Sequence, residues 1–479
     1  MTTATYREPL VGIKTKIVAT VGPASESDER ITALIDAGVD VFRLNMAHGR
    51  RDWHDRVLAR VRDASARRRP VAVLADLGGP KIRLGPVAGG GLPCEPGQRF
   101  RFVRGAESGS ASDLTSTYAP LVDELKVGDL VLLSDGTVSL EVEQKTRDAA
   151  VCRVVQSGEI RTGGGINLPG VELQVGALTD KDLSDVDWGA RAGVDFFGLS
   201  FVRRAADVRR LREELARRNC AAQIVAKIEK PQAVEAIDEI IRETDAVMVA
   251  RGDLGVEIDV ARVAAVQKQV IAKCHQARVP VITATQMLES MKSSRLPTRA
   301  EATDVANAIL DGSDALMLSA ETAVGQYPVE AVAMMNRIAC ETEPMLAPRF
   351  GRPAEPAPPA ADSLTESIVE ATSRLADQLA VKLVVVGTRS GNTALVLAKQ
   401  RSRTPILGVS DDPRTVRRMC LYWGVTPIEA PQFQTSAELL RHVVNWGRGF
   451  VARGDQIAVI ASAQWNAAGH NMILVHQID

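Results

Sequence analysis

The sequence predicts an α/β fold: a (β/α)8 barrel with an inserted small β-barrel cap, followed by a C-terminal α/β domain. Three observations predict it. Apolar runs of strand length alternate eight times with helical stretches, which implies a parallel sheet. Polar residues stand at or just beyond the C-terminal ends of these runs, where a barrel keeps its working groups. Between the third and fourth runs, more than a hundred residues change to short alternating pieces punctuated by turn residues.

The eight runs are 16–21, 39–44, 71–75, 194–200, 224–228, 246–250, 279–284 and 315–318. Helices ending in Asp36-Ala37-Gly38, Arg191-Ala192-Gly193 and Leu310-Asp311-Gly312 introduce three of them, since glycine takes the left-handed conformation that stops a helix. The polar residues are Arg43 and Asn45, Asp76, Ser200, Lys227 and Glu229, Asp253, Thr285, and Ser319 with Glu321. Residues 14–80 and 177–346 therefore form the predicted barrel, and 81–176 the insert. The insert's strands are expected at 100–103, 130–134, 138–142 and 151–155, with a turn at Asp135-Gly136. Gly-rich hinges near Gly89 and at Gly163-Gly164-Gly165 suit a mobile cap that excludes water from the barrel mouth; plain spacing is the alternative. Residues 347–361, with Pro348, Pro353, Pro356, Pro358 and Pro359, read as a linker. Residues 362–479 read as the C-terminal domain, with a helix at 363–379 and strands at 383–386, 406–409 and 457–460. Its first strand runs into Gly387-Thr388-Arg389-Ser390-Gly391-Asn392-Thr393 and then a helix, an arrangement that binds anions.

Composition narrows the function. A chain of 479 residues exceeds what one core fills, and its hydrophobic fraction of 45% is ample for several. A formal charge of −1 gives no global field toward nucleic acid or an anionic membrane. The arginine-rich pieces 67–69 and 203–218 read as solvated faces, because Val208, Leu211 and Leu215 recur at helical spacing on the opposite side. Six scattered cysteines without a CxxC fit reduced thiols in a cytoplasmic protein. No apolar run is long enough for a membrane span, and the histidines do not pair at zinc-ligand spacing.

The chemistry concentrates on two runs. One ends Ala226-Lys227-Ile228-Glu229, placing an ammonium and a carboxylate on one side of a strand. The other ends Ala250-Arg251-Gly252-Asp253 and supplies a second carboxylate. Two carboxylates suffice for Mg²⁺ when a phosphate-bearing substrate and waters complete its octahedron. An ammonium beside them would neutralise charge on a transferred group. The pair points to phosphoryl or enolate chemistry.

At this point the chain resembles the pyruvate kinase family over nearly its whole length. Residues 14–25 read KTKIVATVGPAS, 41–49 VFRLNMAHG, 76–83 DLGGPKIR, 226–229 AKIE and 250–258 ARGDLGVEI. TATQMLESM follows at 283–291, PTRAEATDVANAILDG at 297–312 and MLSAETAVGQYPVEAV at 317–332. Eight collinear motifs leave no room for accident. The resemblance implies a TIM barrel with the same inserted cap, and phosphoryl transfer from phosphoenolpyruvate to ADP. It implies Mg²⁺, or Mn²⁺, on Glu229 and Asp253, and substrate carboxylate on the N–H groups of Gly252 and Asp253. Lys227 resembles the lysine that meets the phosphoryl group, Arg43 a phosphate-gripping arginine, and Thr285 the residue that helps protonate the enolate. Pro23, Asn45, His48 and Arg83 match the nucleotide side of the cleft, where Arg83 would grip phosphate.

Three departures carry expectations of their own. Many family members read RMNFSHG and DTKGPEIR, and hold an essential K⁺ on Asn, Ser, Asp and Thr oxygens. Here Ala47 and Leu77 replace two of those ligands, and Lys81 replaces the glutamate. With Asn45 and Asp76, the Lys81 ammonium is expected to stand in for K⁺, as in a K⁺-independent bacterial branch. A basic residue credited with nucleotide contact falls on Gly164, so the cap's grip is expected to weaken or pass to Arg161. The loop Thr388, Arg389, Ser390, Gly391, Asn392, Thr393 resembles the family's effector-phosphate loop, but the tail at 464–470 does not match the Gly-rich segment that closes it. A sugar phosphate or AMP is the expected effector, with a weak or absent response as the alternative. The family is usually homotetrameric.

Two other readings differ in class. A Mg²⁺-dependent aldolase or lyase on the same barrel also stabilises an enolate, but needs no nucleotide pocket and no lysine facing a phosphoryl group. A non-catalytic sensor predicts loss of Lys227, Glu229, Asp253 or Thr285, and all four are present.

Overall fold

The computed structural model describes residues 12–105, 110, 112–134, 136–171, 174–346, 363–433, 435–446, 450–461 and 472–478. The expected linker at 347–361, Asp135 of the expected turn and the tail at 464–470 lie outside the described residues.

Eight parallel strands close on themselves. They are β1 (Lys16–Thr20), β2 (Val41–Asn45), β3 (Ala72–Asp76), β4 (Phe196–Leu199), β5 (Gln223–Ile228), β6 (Ala246–Ala250), β7 (Val281–Ala284) and β8 (Ala315–Leu318). Each pairs with its sequence neighbours, and β8 returns to β1 with Lys16 opposite Ala315. The runs look continuously apolar because both faces are covered. Val18, Val41, Leu74, Phe196, Val225, Met248, Ile282 and Met317 are buried in one core cluster, while Ile17, Phe42, Val73, Phe197, Ile224 and Val249 belong to a second. Strands end where the sequence places them to within about two residues. Gly38, Gly193 and Gly312 adopt φ of 121°, 72° and 101°, as helix-terminating glycines do.

Between β3 and β4 lie a six-stranded sheet and a two-stranded sheet with their own core, including Phe100, Phe102, Val131, Leu140 and Val154. The hairpin Val138–Lys145 with Ala149–Gln156 is longer than the alternation at 138–142 and 151–155 predicts. Gly89 and Gly163 both have positive φ, at 68° and 72°.

The C-terminal sheet has five strands in the order Val425–Glu429, Ile406–Ser410, Leu383–Gly387, Gln456–Ala461 and Met472–Gln477, the last antiparallel. Sequence reasoning missed the two edge strands. One carries Pro427, which only an edge tolerates, and the other is half-exposed. This sheet's unit meets the barrel through a buried ion cluster. Asp314 accepts from Lys399 Nζ at 2.6 Å and from Arg401 at 3.0 Å, and Arg401 stacks on Trp423 with 4.5 Å to the ring centroid. Burial first, then Arg401 and Lys399, push the neighbouring His275 down to about 3, so it stays neutral.

The arginine-rich helix Ala205–Arg217 buries Ala205, Val208, Leu211 and Leu215 and turns Arg209 and Arg212 out to Glu243 and Asp245. The six cysteines form no disulfide with one another. No helix among the described residues is long and apolar enough to cross a membrane.

Candidate active site

The mouth at the C-terminal strand ends gathers the residues singled out above. Lys227 sits at the penultimate position of β5, and its side chain is buried. Its ammonium donates to Ser200 Oγ at 2.7 Å, pairs with Glu229 Oε1 at 2.8 Å and lies 3.3 Å from Asp76 Oδ1. Ser200 in turn donates to the Leu77 carbonyl at 2.8 Å, which fixes its lone pairs toward the lysine. Burial alone would lower the lysine's pKa, but Asp76 and Glu229 reverse that and hold it above the ordinary value. Lys227 is therefore a fixed cation rather than a general base.

Arg43 flanks it. Its Nε donates to Asp76 Oδ2 at 2.6 Å and one terminal nitrogen donates to Thr20 Oγ1 at 3.0 Å. Burial opposes ionisation of Asp76, yet Lys227 and Arg43 outweigh it and hold the carboxyl below the usual range. Gly198 makes this possible: a Cβ there would sit 2.8 Å from Asp76 Oδ1. Two cations thus share one buried carboxylate; Arg43 keeps N–H donors for a bound anion, and Lys227 offers its charge.

Glu229 accepts from the Phe201 N–H at 3.0 Å through its second oxygen. Burial raises its pKa, Lys227 pulls it back and Asp253 raises it further. Asp253 lies not at a strand end but in a short helix, Arg251–Glu257, that starts directly after β6. In that helix the Gly252 N–H donates to Thr285 Oγ1 at 2.7 Å, and the same hydroxyl donates to the Ala284 carbonyl at 2.6 Å. A Cβ on Gly252 would come within 3.2 Å of that hydroxyl, a tight contact that glycine avoids.

The remaining candidates spread along the rim. Asn45 caps its own loop, accepting from the Ala47 N–H at 3.1 Å, while Pro23 and His48 are exposed. Arg83 donates to the Gly163 carbonyl at 3.1 Å, on the inserted unit. Arg161 pairs with Glu159 at 2.6 Å, which occupies the guanidinium expected to replace the family's basic residue at Gly164. Lys81 is exposed, with no ion pair among the described residues, while Leu77 is buried and Ala47 exposed. The loop 388–393 lies apart from the barrel mouth. It buries Thr388, Gly391 and Thr393 and exposes Arg389, Ser390 and Asn392, and Thr388 Oγ1 accepts from the Gly391 N–H at 3.0 Å.

Sequence reasoning counted Ser200 among the strand-end polar groups without giving it a task and passed over Thr20, because a hydroxyl inside an apolar run carries no spacing signal. Arg251, grouped there with Gly252 and Asp253, points away from the cluster toward Asp304.

The sequence matches the family described as "Pyruvate kinase, barrel domain" over residues 13–332 and "Pyruvate kinase, alpha/beta domain" over 366–476. The chain belongs to the pyruvate kinase family. It is 42% identical to the pyruvate kinase of Geobacillus stearothermophilus over 97% of its length and 80% of that relative's. It is 41% identical to the one of Mycobacterium tuberculosis (strain CDC 1551 / Oshkosh), covering 97% and 98% of the two chains. A crystal structure of a pyruvate kinase from Cryptosporidium parvum superposes with a TM-score of 0.90 at 32% identity, over 98% of this chain and 96% of that one. Membership makes the chain a phosphotransferase and implies a divalent metal cofactor. The donor chemistry fits such an ion: two carboxylates, Glu229 and Asp253, the first held above the ordinary glutamate range by burial and then by Asp253 against the pull of Lys227.

Proposed function

We propose that this pyruvate kinase-family chain transfers the phosphoryl group of phosphoenolpyruvate to ADP, giving pyruvate and ATP, with Mg²⁺ or Mn²⁺ and without K⁺. One observation carries the reading: a buried Lys227 ammonium held between Asp76, Glu229 and Ser200 at the barrel mouth.

Glu229 and Asp253 would hold the metal, which when bound supplies Lewis-acid charge to the substrate's oxygens. The N–H group of Asp253 would orient the substrate carboxylate, since the Gly252 N–H on which the resemblance also counted is taken by Thr285 Oγ1 at 2.7 Å, and Arg43 grips the phosphate. The phosphorus–oxygen bond to the enol breaks as a terminal oxygen of ADP bonds to phosphorus. Lys227 stabilises the negative charge on the equatorial oxygens in flight. The enolate left behind takes a proton at its CH₂ carbon, delivered from the Thr285 hydroxyl's side through water, and becomes pyruvate. Pro23, Asn45, His48 and Arg83 would border the nucleotide.

The K⁺-independent part rests on Ala47, Leu77 and Lys81. Two oxygen ligands are gone, and the rim gains an ammonium with no acidic partner among the described residues. Its charge would do what K⁺ does elsewhere in the family. Arg389, Ser390 and Asn392 are accessible to a sugar phosphate or AMP, and we place the protein in the cytoplasm as a homotetramer. ATP formation from phosphoenolpyruvate and ADP, followed by phosphorus NMR with Mg²⁺ in potassium-free buffer, tests the proposal. No ATP would leave the sensor reading standing, and ATP only after KCl addition at fixed ionic strength would remove the Lys81 part.

A further inference from the structure

Arg251 lies next to the residues that border the proposed substrate, yet its side chain faces the other way, into the protein. It is 9% exposed. One terminal nitrogen donates to Asp304 at 2.8 Å and to Gln267 Oε1 at 3.4 Å. The other donates to the backbone carbonyl of Thr285 at 2.7 Å and to that of Gln286 at 3.3 Å. Those two residues are consecutive and both left-handed, with φ of 70° and 53°. That conformation is costly for any residue with a Cβ, most of all a β-branched one, and it persists only where the surroundings hold it.

The surroundings that hold it come from two successive residues. Arg251 grips Thr285 by its carbonyl, and the Gly252 N–H grips it by its hydroxyl at 2.7 Å. Thr285 Oγ1 therefore has one lone pair taken by Gly252, and its proton is directed to the Ala284 carbonyl at 2.6 Å. Releasing the carbonyl end would let residues 285–286 relax toward ordinary φ and swing the hydroxyl away from its place. Asp304, half-exposed on the helix Arg299–Leu310, supplies the charge that keeps the guanidinium turned inward.

We infer that Arg251 is a positioning residue for the proton-delivery half of the reaction: it holds Thr285 in a strained geometry and touches no substrate. This rests on the reading of Thr285 given above. A lysine could reach one carbonyl but could not bridge the carbonyls and Asp304 as a planar fork does, so it should restore function only in part.

The test separates proton delivery from phosphoryl transfer. In D₂O with Mg²⁺, the parent enzyme should exchange the C3 hydrogens of pyruvate: a C–H bond breaks, the proton leaves by the Thr285 side and deuterium returns from solvent. Arg251→Met should slow that exchange by about 10–100-fold, the scale of a small misplacement. It should also raise the solvent isotope effect on turnover, while Mn²⁺ affinity by electron spin resonance changes less than about threefold. Arg251→Lys should fall between. In the metal-free variant, amide exchange over residues 283–291 should quicken. Parental exchange and isotope effect would overturn the inference, and so would a parallel loss of Mn²⁺ affinity. If Arg251→Met does not fold, Asp304→Asn must show the same selective loss, and its absence overturns the inference equally. Thr285→Val runs alongside. If that variant exchanges at the parental rate, the assignment of Thr285 fails and takes this inference with it. If it is slow while the Arg251 variants are not, this inference fails alone.

Discussion

Replacing Glu229 with glutamine should abolish tight divalent-metal binding and leave the barrel folded. One carboxylate oxygen meets Lys227 Nζ at 2.8 Å and the other accepts from the Phe201 N–H at 3.0 Å. A carboxamide has one acceptor atom, so its NH₂ must face either an ammonium or an N–H, which is a donor meeting a donor. Lys227 keeps Asp76 and Ser200, and the repulsion from Asp253 is relieved. The metal-free variant should therefore lose less than the roughly 3–5 kcal/mol of a fully broken buried pair, on the order of 1–3 kcal/mol. Changes one shell out from a metal cost about 10–100-fold in affinity, so losing a direct ligand should cost about 100-fold or more. Titrating Mn²⁺ by electron spin resonance measures this.

Thermal melting across pH gives a second reading. The raised pKa of Glu229, set by burial and then by Asp253 against the pull of Lys227, means the folded protein holds this proton more tightly than the unfolded chain. Its contribution to stability is full below the ordinary glutamate range and is lost as pH rises through the elevated folded value. Metal needs the ionised form. The stabilisation by Mg²⁺, about 2.7 kcal/mol at a hundredfold excess over Kd, should grow from acid toward neutral pH in the parent and vanish in Glu229→Gln. A variant that keeps the parental Mn²⁺ affinity within about threefold, or keeps that pH-dependent shift, would refute the assignment.

Lys81→Gln should lower turnover in potassium-free buffer by about tenfold or more while Mn²⁺ affinity holds; an unchanged rate would sink the surrogate reading. Asp314→Asn strips two buried cations of their carboxylate and should cost roughly 3–5 kcal/mol, seen as earlier melting of the contact between barrel and C-terminal unit. Burial opposes ionisation of Asp314, but Lys399 and Arg401 hold its carboxyl below the usual range. The parent's contact should therefore be at full strength above the ordinary aspartate range and weaken only as pH falls through the depressed value, and calorimetry on the acid side checks it. Gly198→Ala would press a methyl against Asp76, costing about 1–3 kcal/mol and lowering turnover; a neutral result would show that Asp76 can move without harm.

The barrel was legible because strands covered on both faces leave unbroken apolar runs, and because glycines at 38, 193 and 312 mark helix ends where no other residue takes that φ comfortably. The cluster of Lys227, Glu229, Asp76 and Arg43 was legible as charge at strand ends. What was hidden is direction. Arg251 and Lys227 both follow apolar runs, but β6 gives way to a helix at once, so Arg251 turns inward while Asp253, two residues on, takes roughly the opposite side of the helix. Ser200, legible only by its place at a strand end, and Thr20, not legible at all, align the cations through their hydroxyls. The edge strands Val425–Glu429 and Met472–Gln477 lack the alternation of a half-buried strand, the first broken by a proline and the second uniformly half-exposed.

The most direct measurement is the rate of ATP formation from phosphoenolpyruvate and ADP by Lys227→Met, taken with its Mn²⁺ affinity. Loss of the buried ammonium should cut turnover by about a thousandfold or more while the metal still binds to Glu229 and Asp253. Turnover within about tenfold of the parent would contradict the account at its root.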